Sequence, residues 1–254
     1  MYSTPFTNFK HADAKVLLSY IGDLQAYFDK REPDLLAYVP ENRRFERLRR
    51  EARSLLALYP DPVRRPPLFG VPVGVKDVFH IDGFVTRAGS EVPAALLQGT
   101  EAESVRRLKA AGALIMGKTV TTEFAYFAPG PTRNPHNPAH TPGGSSSGSA
   151  AAVGAGLCPL ALGTQTVGSI TRPAAFSGAV GYKPTYDRIS RAGVIPLWPS
   201  VDHIGVFGRD VNGVESAAAV LVEAWDSAAA VRQPECARLG IPTGDYLQSA
   251  AVAG

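Results

Sequence analysis

Cysteine is nearly absent: Cys158 and Cys236 are the only two in 254 residues. Two thiols are too few for a disulfide framework, which suits a protein of a reducing compartment whose stability rests on a packed core. An excess of charge is missing too. The 26 Lys and Arg face 23 Asp and Glu, a net +3, so nothing global points to nucleic acid. Nor is there a run of membrane length. The longest apolar stretch, Ala150 to Val167, is broken by Pro159 and carries Thr164, Gln165 and Thr166, whereas a spanning helix needs about 20 apolar residues. The start, MYSTPFTNFKHADAK, has no apolar core behind a basic segment and does not read as a signal peptide. Together these absences predict a soluble, cytoplasmic protein with neither a membrane nor a nucleic-acid partner. What is present, 45% hydrophobic against 19% charged residues, can build a sizeable core.

Along the chain, helical and strand-like segments alternate. Apolar spacing predicts helices over Ala12–Phe28 and over Pro40–Pro60, the second opened and closed by proline. LFGVPVGVKDVF alternates as a strand, EAESVRRLKAAGA reads as a helix ending at Gly112, and LIMGKTV as a short buried strand. From Ala125 to Ser149 the chain is rich in Pro, Gly, Asn and His and is expected to be irregular. A helix over Ala150–Gly156, a strand in LCPLALGTQTV, a turn at Gly168-Ser169, the segment FSGAVGYKPT and a last helix near Gly213–Trp225 complete the series. Neither a repeat nor a linker interrupts it. The expectation is an α/β fold in one unit spanning 1–254. Six arginines against two glutamates in Arg43–Arg53 could make a nucleic-acid stripe. Phe45, Leu48, Leu55 and Leu56 favour an ordinary amphipathic helix with a solvated charged face.

The stretch TPGGSSSGSAAAVGAG (Thr141–Gly156) invites several readings. As a phosphate-binding loop it has glycines of the right spacing at 143 and 148, but Ser149-Ala150 replace the required Lys and Ser/Thr. As a dinucleotide fingerprint it lacks the third glycine, because Cys158-Pro159 stand there. Gly144-Ser145-Ser146-Ser147-Gly148 fits the nucleophile elbow G-x-S-x-G by letter, with Ser146 as nucleophile and His203 beside Asp202 as distant partners. An elbow sits behind a buried strand, and RNPHNPAHTP cannot be one because proline removes ladder donors. The remaining readings are a flexible loop and a serine-rich turn that offers free N–H groups beside hydroxyls at a helix start. Local chemistry leaves these two open.

A second serine turn, GTQTVGSITRPAAF, and a lysine in GVPVGVKDVF bear on the choice. In the strand, Pro72, Gly74 and Lys76 share one face, so Lys76 comes after two residues that leave room above the sheet. A lysine so placed usually snorkels to the surface. Buried, it would lose its proton more easily. A base working at pH 7 needs a fall of roughly 3 units, about 4–5 kcal/mol, and could then take the proton of a serine hydroxyl.

These segments together resemble the amidase signature hydrolases, and GVIPLWPSVDHIGVFGRDV adds to the match. The likeness covers most of the chain from about Ala12 and is densest from Phe69 to Val211. It implies the N-terminal part of that family's fold, a mixed β-sheet core covered by helices, with members continuing beyond this length. It implies a Ser–Ser–Lys triad: Lys76 as base, Ser145 as the bridging serine held through a cis peptide bond, and Ser169 as the acylated nucleophile. The backbone amides of Thr166, Val167, Gly168 and Ser169 match the oxyanion hole. Neither a cofactor nor a metal is implied, and no set of side chains has metal-ligand spacing.

Three departures accompany the likeness. Val167 stands where the family usually has glycine; a β-branched residue resists positive φ and adds bulk beside the scissile carbonyl. Gln165 takes a place often held by Asp, and Thr171-Arg172 shifts the arginine found soon after the nucleophile. Segment ARLGIPTGDYLQSAAVAG reads like the entry to a further part of the fold. The implied function is hydrolysis of a small amide, an aryl amide, urea or carbamate, and a homodimer is compatible with the sequence. The alternatives are the amidase-type subunit of a tRNA-dependent transamidation complex and a non-catalytic relative. The loop Phe127–His140, with Asn134, His136, Asn137 and His140, is expected to line or cover the site, or else to spend those side chains on its own turns.

Overall fold

The computed structural model describes residues 9–230 and residue 240; Cys236 and nearly all of the 237–254 segment lie outside them. Five strands form one sheet: β1 (Pro72–Lys76), β2 (Leu114–Thr119), β3 (Leu160–Gln165), β4 (Val180–Tyr182) and β5 (His203–Gly208), in the order β2-β1-β3-β5-β4. β1 runs parallel to β2 and β3, whereas β5 is antiparallel to β3 and β4, so the sheet is mixed as expected. Every residue of β1 and β2 is buried, Lys76 and Lys118 included, so both faces of these strands are covered.

The helices are α1 (Ala14–Leu35), α2 (Arg44–Leu58), α3 (Glu103–Ala110), α4 (Ser147–Gly154), α5 (Thr171–Ser177), α6 (Val211–Leu221) and α7 (Ser227–Ala230). Among the described residues, none is long and apolar enough to cross a membrane. Asp13 caps α1 by accepting the Val16 N–H at 2.8 Å, and Leu17, Ile21 and Leu24 bury one face. The helix continues past Phe28 to Leu35, with Pro33 in its last turn, and Leu36, at φ 54°, closes it with an N–H to the Glu32 carbonyl at 2.8 Å.

α2 is shorter than the proline-to-proline expectation, and its arginines divide. Arg43, Arg50 and Arg53 are solvated as expected. Arg44 is only 6% exposed, sits 4.7 Å from the rings of both Phe28 and Tyr38, and donates to the Val39 carbonyl at 2.9 Å. Arg47 pairs with Glu41 at 2.6 Å and reaches the Ile115 carbonyl at 2.9 Å, covering the free edge of β2.

α4 is the central helix of the fold, and its residues Ser147–Val153 are all buried. A Cβ on Gly148 would stand 2.2 Å from the Ala37 carbonyl oxygen and 2.4 Å from the Val120 nitrogen, and one on Gly154 2.1 Å from the Ser177 carbonyl oxygen. Backbone therefore meets backbone on both ends of this helix, which only its small residues allow. It begins at Ser147, inside the stretch expected to be irregular. Periodicity gives no helix over 171–177, yet α5 forms there: Pro173 sits in the first turn, where its missing N–H is harmless, and Gly178 at φ 66° ends it.

Candidate active site

Parallel strands deliver their carboxyl ends to one edge of the sheet, the usual location for a site in such folds. Lys76 ends β1 and Thr164 and Gln165 end β3 beside it, while the turn before α4 supplies Ser145. The Lys76 side chain is 0% exposed. Its Nζ lies 2.7 Å from Ser145 Oγ and 2.7 Å from Thr164 Oγ1. As an ammonium it donates to both; as a neutral amine it keeps a lone pair for one hydroxyl. It forms no ion pair among the described residues. Burial therefore pulls it down from 10.5 to about 7, against the smaller opposing field of Asp202. The surface-lysine expectation fails because α4 and its preceding turn roof this end of the sheet.

Ser145 is 2% exposed and sits behind a cis Gly144–Ser145 peptide bond. Both flanking carbonyls are engaged: the Gly144 oxygen accepts from Arg172 at 2.7 and 3.2 Å, and the Ser145 oxygen accepts the Thr122 N–H at 3.1 Å. Ser146 is different. It is fully buried, and its Oγ donates to the Thr164 carbonyl at 3.1 Å and accepts the Thr164 N–H at 3.3 Å. The elbow reading fails on this geometry. Its partners fail as well, since His203 Nδ1 faces the Val201 carbonyl and Asp202 points elsewhere.

Past β3 the chain turns through Thr166–Ser169 into α5. The four amide N–H groups of Thr166, Val167, Gly168 and Ser169 make no hydrogen bond among the described residues, and neither does the Ser169 hydroxyl. Gln165 fixes the start of α5: its Oε1 accepts from the Ile170 and Thr171 amides at 2.7 and 2.9 Å. The Ser169 carbonyl accepts the Ser146 N–H at 3.4 Å, so the two serine turns are joined through backbone. Val167 is 88% exposed and is not among the residues of positive φ, so this turn does not require the glycine conformation expected there. Its bulk remains, directed to solvent.

Asp202 lies just before β5, across from the end of β3. Its Oδ1 accepts the Thr166 hydroxyl at 2.5 Å, and its Oδ2 accepts the Leu197 and Trp198 amides at 2.8 and 2.7 Å. A cavity of about 210 Å³ opens next to these groups, walled by Thr164, Asp202, Ala125 and the apolar Val194–Leu197 segment. A second cavity of about 550 Å³ lies between α2 and residues 83–87, against Lys118, and contains none of the serine or lysine groups above. Asn134 and His136 are spent on structure: Asn134 holds the Phe176 carbonyl and the His136 amide, and His136 faces the Ser177 carbonyl at 3.0 Å. Cys158 is no rival nucleophile, since burial pushes its thiol up to about 11. Thr164, Asp202 as the holder of Thr166, and Arg172 on Gly144 are the groups that sequence reasoning does not single out. Their partners are 28 or more residues away, so no local pattern signals them.

A family model described as Amidase matches residues 41–240. The chain belongs to the amidase family. It is similar to a glutamyl-tRNA(Gln) amidotransferase subunit of Symbiobacterium thermophilum, at 46% identity over 182 residues, 68% of this chain and 37% of that protein. It is also similar to AtzE, the 1-carboxybiuret hydrolase subunit of a Pseudomonas, at 44% identity over 185 residues, 68% of this chain and 39% of that protein. The X-ray structure of the native peptide amidase from Stenotrophomonas maltophilia superposes with a TM-score of 0.74 at 36% identity, over 89% of this chain and 48% of that one. The chain thus spans less than half the length of these relatives.

Proposed function

We propose that this amidase-family chain carries an acyl-transfer site that hydrolyses a small amide through a serine ester. The observation that carries this reading is the buried Lys76 amine on the Ser145 hydroxyl, without a counter-ion among the described residues and lowered by burial to about 7. Ser169 Oγ attacks the amide carbonyl carbon, and its proton passes through Ser145 to Lys76. The carbonyl oxygen, now negative, is met by the amides of Thr166–Ser169, donors worth about 3–4 kcal/mol each in such sites. The C–N bond breaks as the leaving amine takes the proton back. Water then attacks the ester by the same relay, releasing the acid and restoring Ser169.

The test is treatment with a fluorophosphonate, then peptide mass spectrometry of the wild type and Ser169→Ala. An adduct on Ser169 that disappears in the variant supports the reading. An adduct on Ser146, or none on a folded protein, overturns it; the second result would favour a non-catalytic relative.

A second reading rests on the 46% identity to an amidotransferase subunit. In that case the same serine chemistry would release ammonia from glutamine for a charged tRNA. Glutamine turnover that requires a partner subunit, ATP and the tRNA would identify this role; turnover of simple amides by the protein alone would exclude it.

A further inference from the structure

We propose that Asp202 is a positioning residue for this acyl transfer, fixing the Thr166–Ser169 turn against the wall of the neighbouring cavity. The inference rests on the reading of Ser169 as the nucleophile. Three contacts support it. The carboxylate is buried, and one oxygen takes the Thr166 hydroxyl while the other takes two successive amides, Leu197 and Trp198. Thr166 opens the turn whose unpaired amides and serine are the groups assigned to the substrate carbonyl. Leu197 ends the Val194–Leu197 segment that walls the 210 Å³ cavity beside Thr164. One side chain therefore clamps the turn that does the chemistry to the surface that would hold a substituent of the substrate. No other side chain hydrogen-bonds to both segments among the described residues.

The clamp also acts on the base. Asp202 is the charged group whose field reaches Lys76, opposing part of the fall that burial causes. Other charges nearby are committed elsewhere: Asp77 pairs with Lys118, Arg172 is on the Gly144 carbonyl, and Arg191 pairs with Asp187. His203 faces the Val201 carbonyl. Removing the Asp202 charge should therefore let Lys76 lose its proton at lower pH. Asn at 202 can accept the Leu197 and Trp198 amides, and its NH2 can donate to the Thr166 oxygen, so Asp202→Asn separates charge from geometry.

The experiment is the rate of fluorophosphonate labelling at Ser169 as a function of pH. In that step Ser169 Oγ bonds to phosphorus, fluoride leaves, and the serine proton goes to Lys76. Wild-type labelling should rise with pH through about 7, where Lys76 becomes neutral. Asp202→Asn should keep a plateau within a few-fold of wild type and move its midpoint to lower pH. Asp202→Ala should lose the plateau by about tenfold or more, as misplacement of reacting groups does. Thr166→Val, which breaks the clamp and leaves the charge, should lower the plateau without moving the midpoint. A purely structural carboxylate would not shift the midpoint in the Asn variant. Wild-type plateau and midpoint in both Asn and Val variants overturn the proposal and leave the serine assignment standing. A wild type that carries no adduct on Ser169 overturns the serine assignment itself, and the role of Asp202 with it.

Discussion

Two lysines are buried in this sheet, one on each face, and they are handled in opposite ways. Lys118 of β2 stands beside Val75, across the sheet plane from Lys76. Its Nζ lies 2.9 Å from Asp77 Oδ1 and donates to the Phe79 carbonyl at 2.5 Å and to Thr86 at 2.9 Å. Among the described residues, Lys76 meets two neutral hydroxyls and no carboxylate. Burial lowers both amines, but for Lys118 the Asp77 charge works against it, whereas Lys76 has only the weaker, more distant Asp202. Burial alone, then, does not make a base. A lysine buried with its counter-ion keeps a partner that opposes the loss of its proton; one buried among hydroxyls becomes a group that can exchange a proton near neutrality.

Lys76→Met puts this contrast to its strongest test. Labelling at Ser169 should fall by about 10²–10⁴-fold, the range over which a general base acts. The same variant should be more stable. The folded protein releases the Lys76 proton near pH 7 while an unfolded chain holds it to about 10.5. Between those values the unfolded chain binds more protons, so wild-type stability rises with pH through that window. At and below pH 7 the buried amine costs up to roughly 5 kcal/mol, and the Met variant should gain some fraction of this, a gain that fades toward pH 10.5. Thermal unfolding across a pH range of roughly 6–10 reads both limbs.

Asp77→Asn tests the other lysine. It strips the counter-ion from a buried ammonium and should destabilise by about 3–5 kcal/mol, measurable by denaturant unfolding. Ser146→Ala comes next: losing the two hydrogen bonds to Thr164 should cost about 1–3 kcal/mol of stability. It should change Ser169 labelling far less than Ser145→Ala does. Smallest is Val167→Ala, with a stability change below about 0.5 kcal/mol at so exposed a position. Its effect should appear in the ratio of labelling rates for bulky and small fluorophosphonates.

The local parts of this arrangement are legible in the chain. Period-two spacing puts Lys76 on the face with Pro72 and Gly74, and the small residues after Ser147 announce a tightly packed helix. The family likeness carries Ser145 and Ser169. The hidden part depends on topology. Thr164 reaches Lys76 only because β3 lies parallel beside β1, 88 residues away in sequence. Asp202 reaches Thr166 because β5 returns antiparallel to β3 and pairs His203 with Gln165. α5 is illegible for another reason: at seven residues with Pro173 inside, it has too few turns for an apolar period to show. Arg44 and Arg47 look solvated in a helix rich in charge, and only the approach of Glu41 and the aromatic pair Phe28 and Tyr38 takes them inside.

The glycines of α4 have a consequence for how such a protein can diversify. Where a helix lies directly against neighbouring backbone, as at Gly148 and Gly154, there is no room for a larger side chain and so no dial to turn. Selection for a new substrate has to work from above. Exposed side chains such as Val167, in the turn before Ser169, and Trp198, whose amide Asp202 holds, can change without disturbing the core, as can Tyr126 and Phe127. A library confined to those positions should yield altered preferences at intact stability, and one that reaches into the helix should yield mostly unfolded protein.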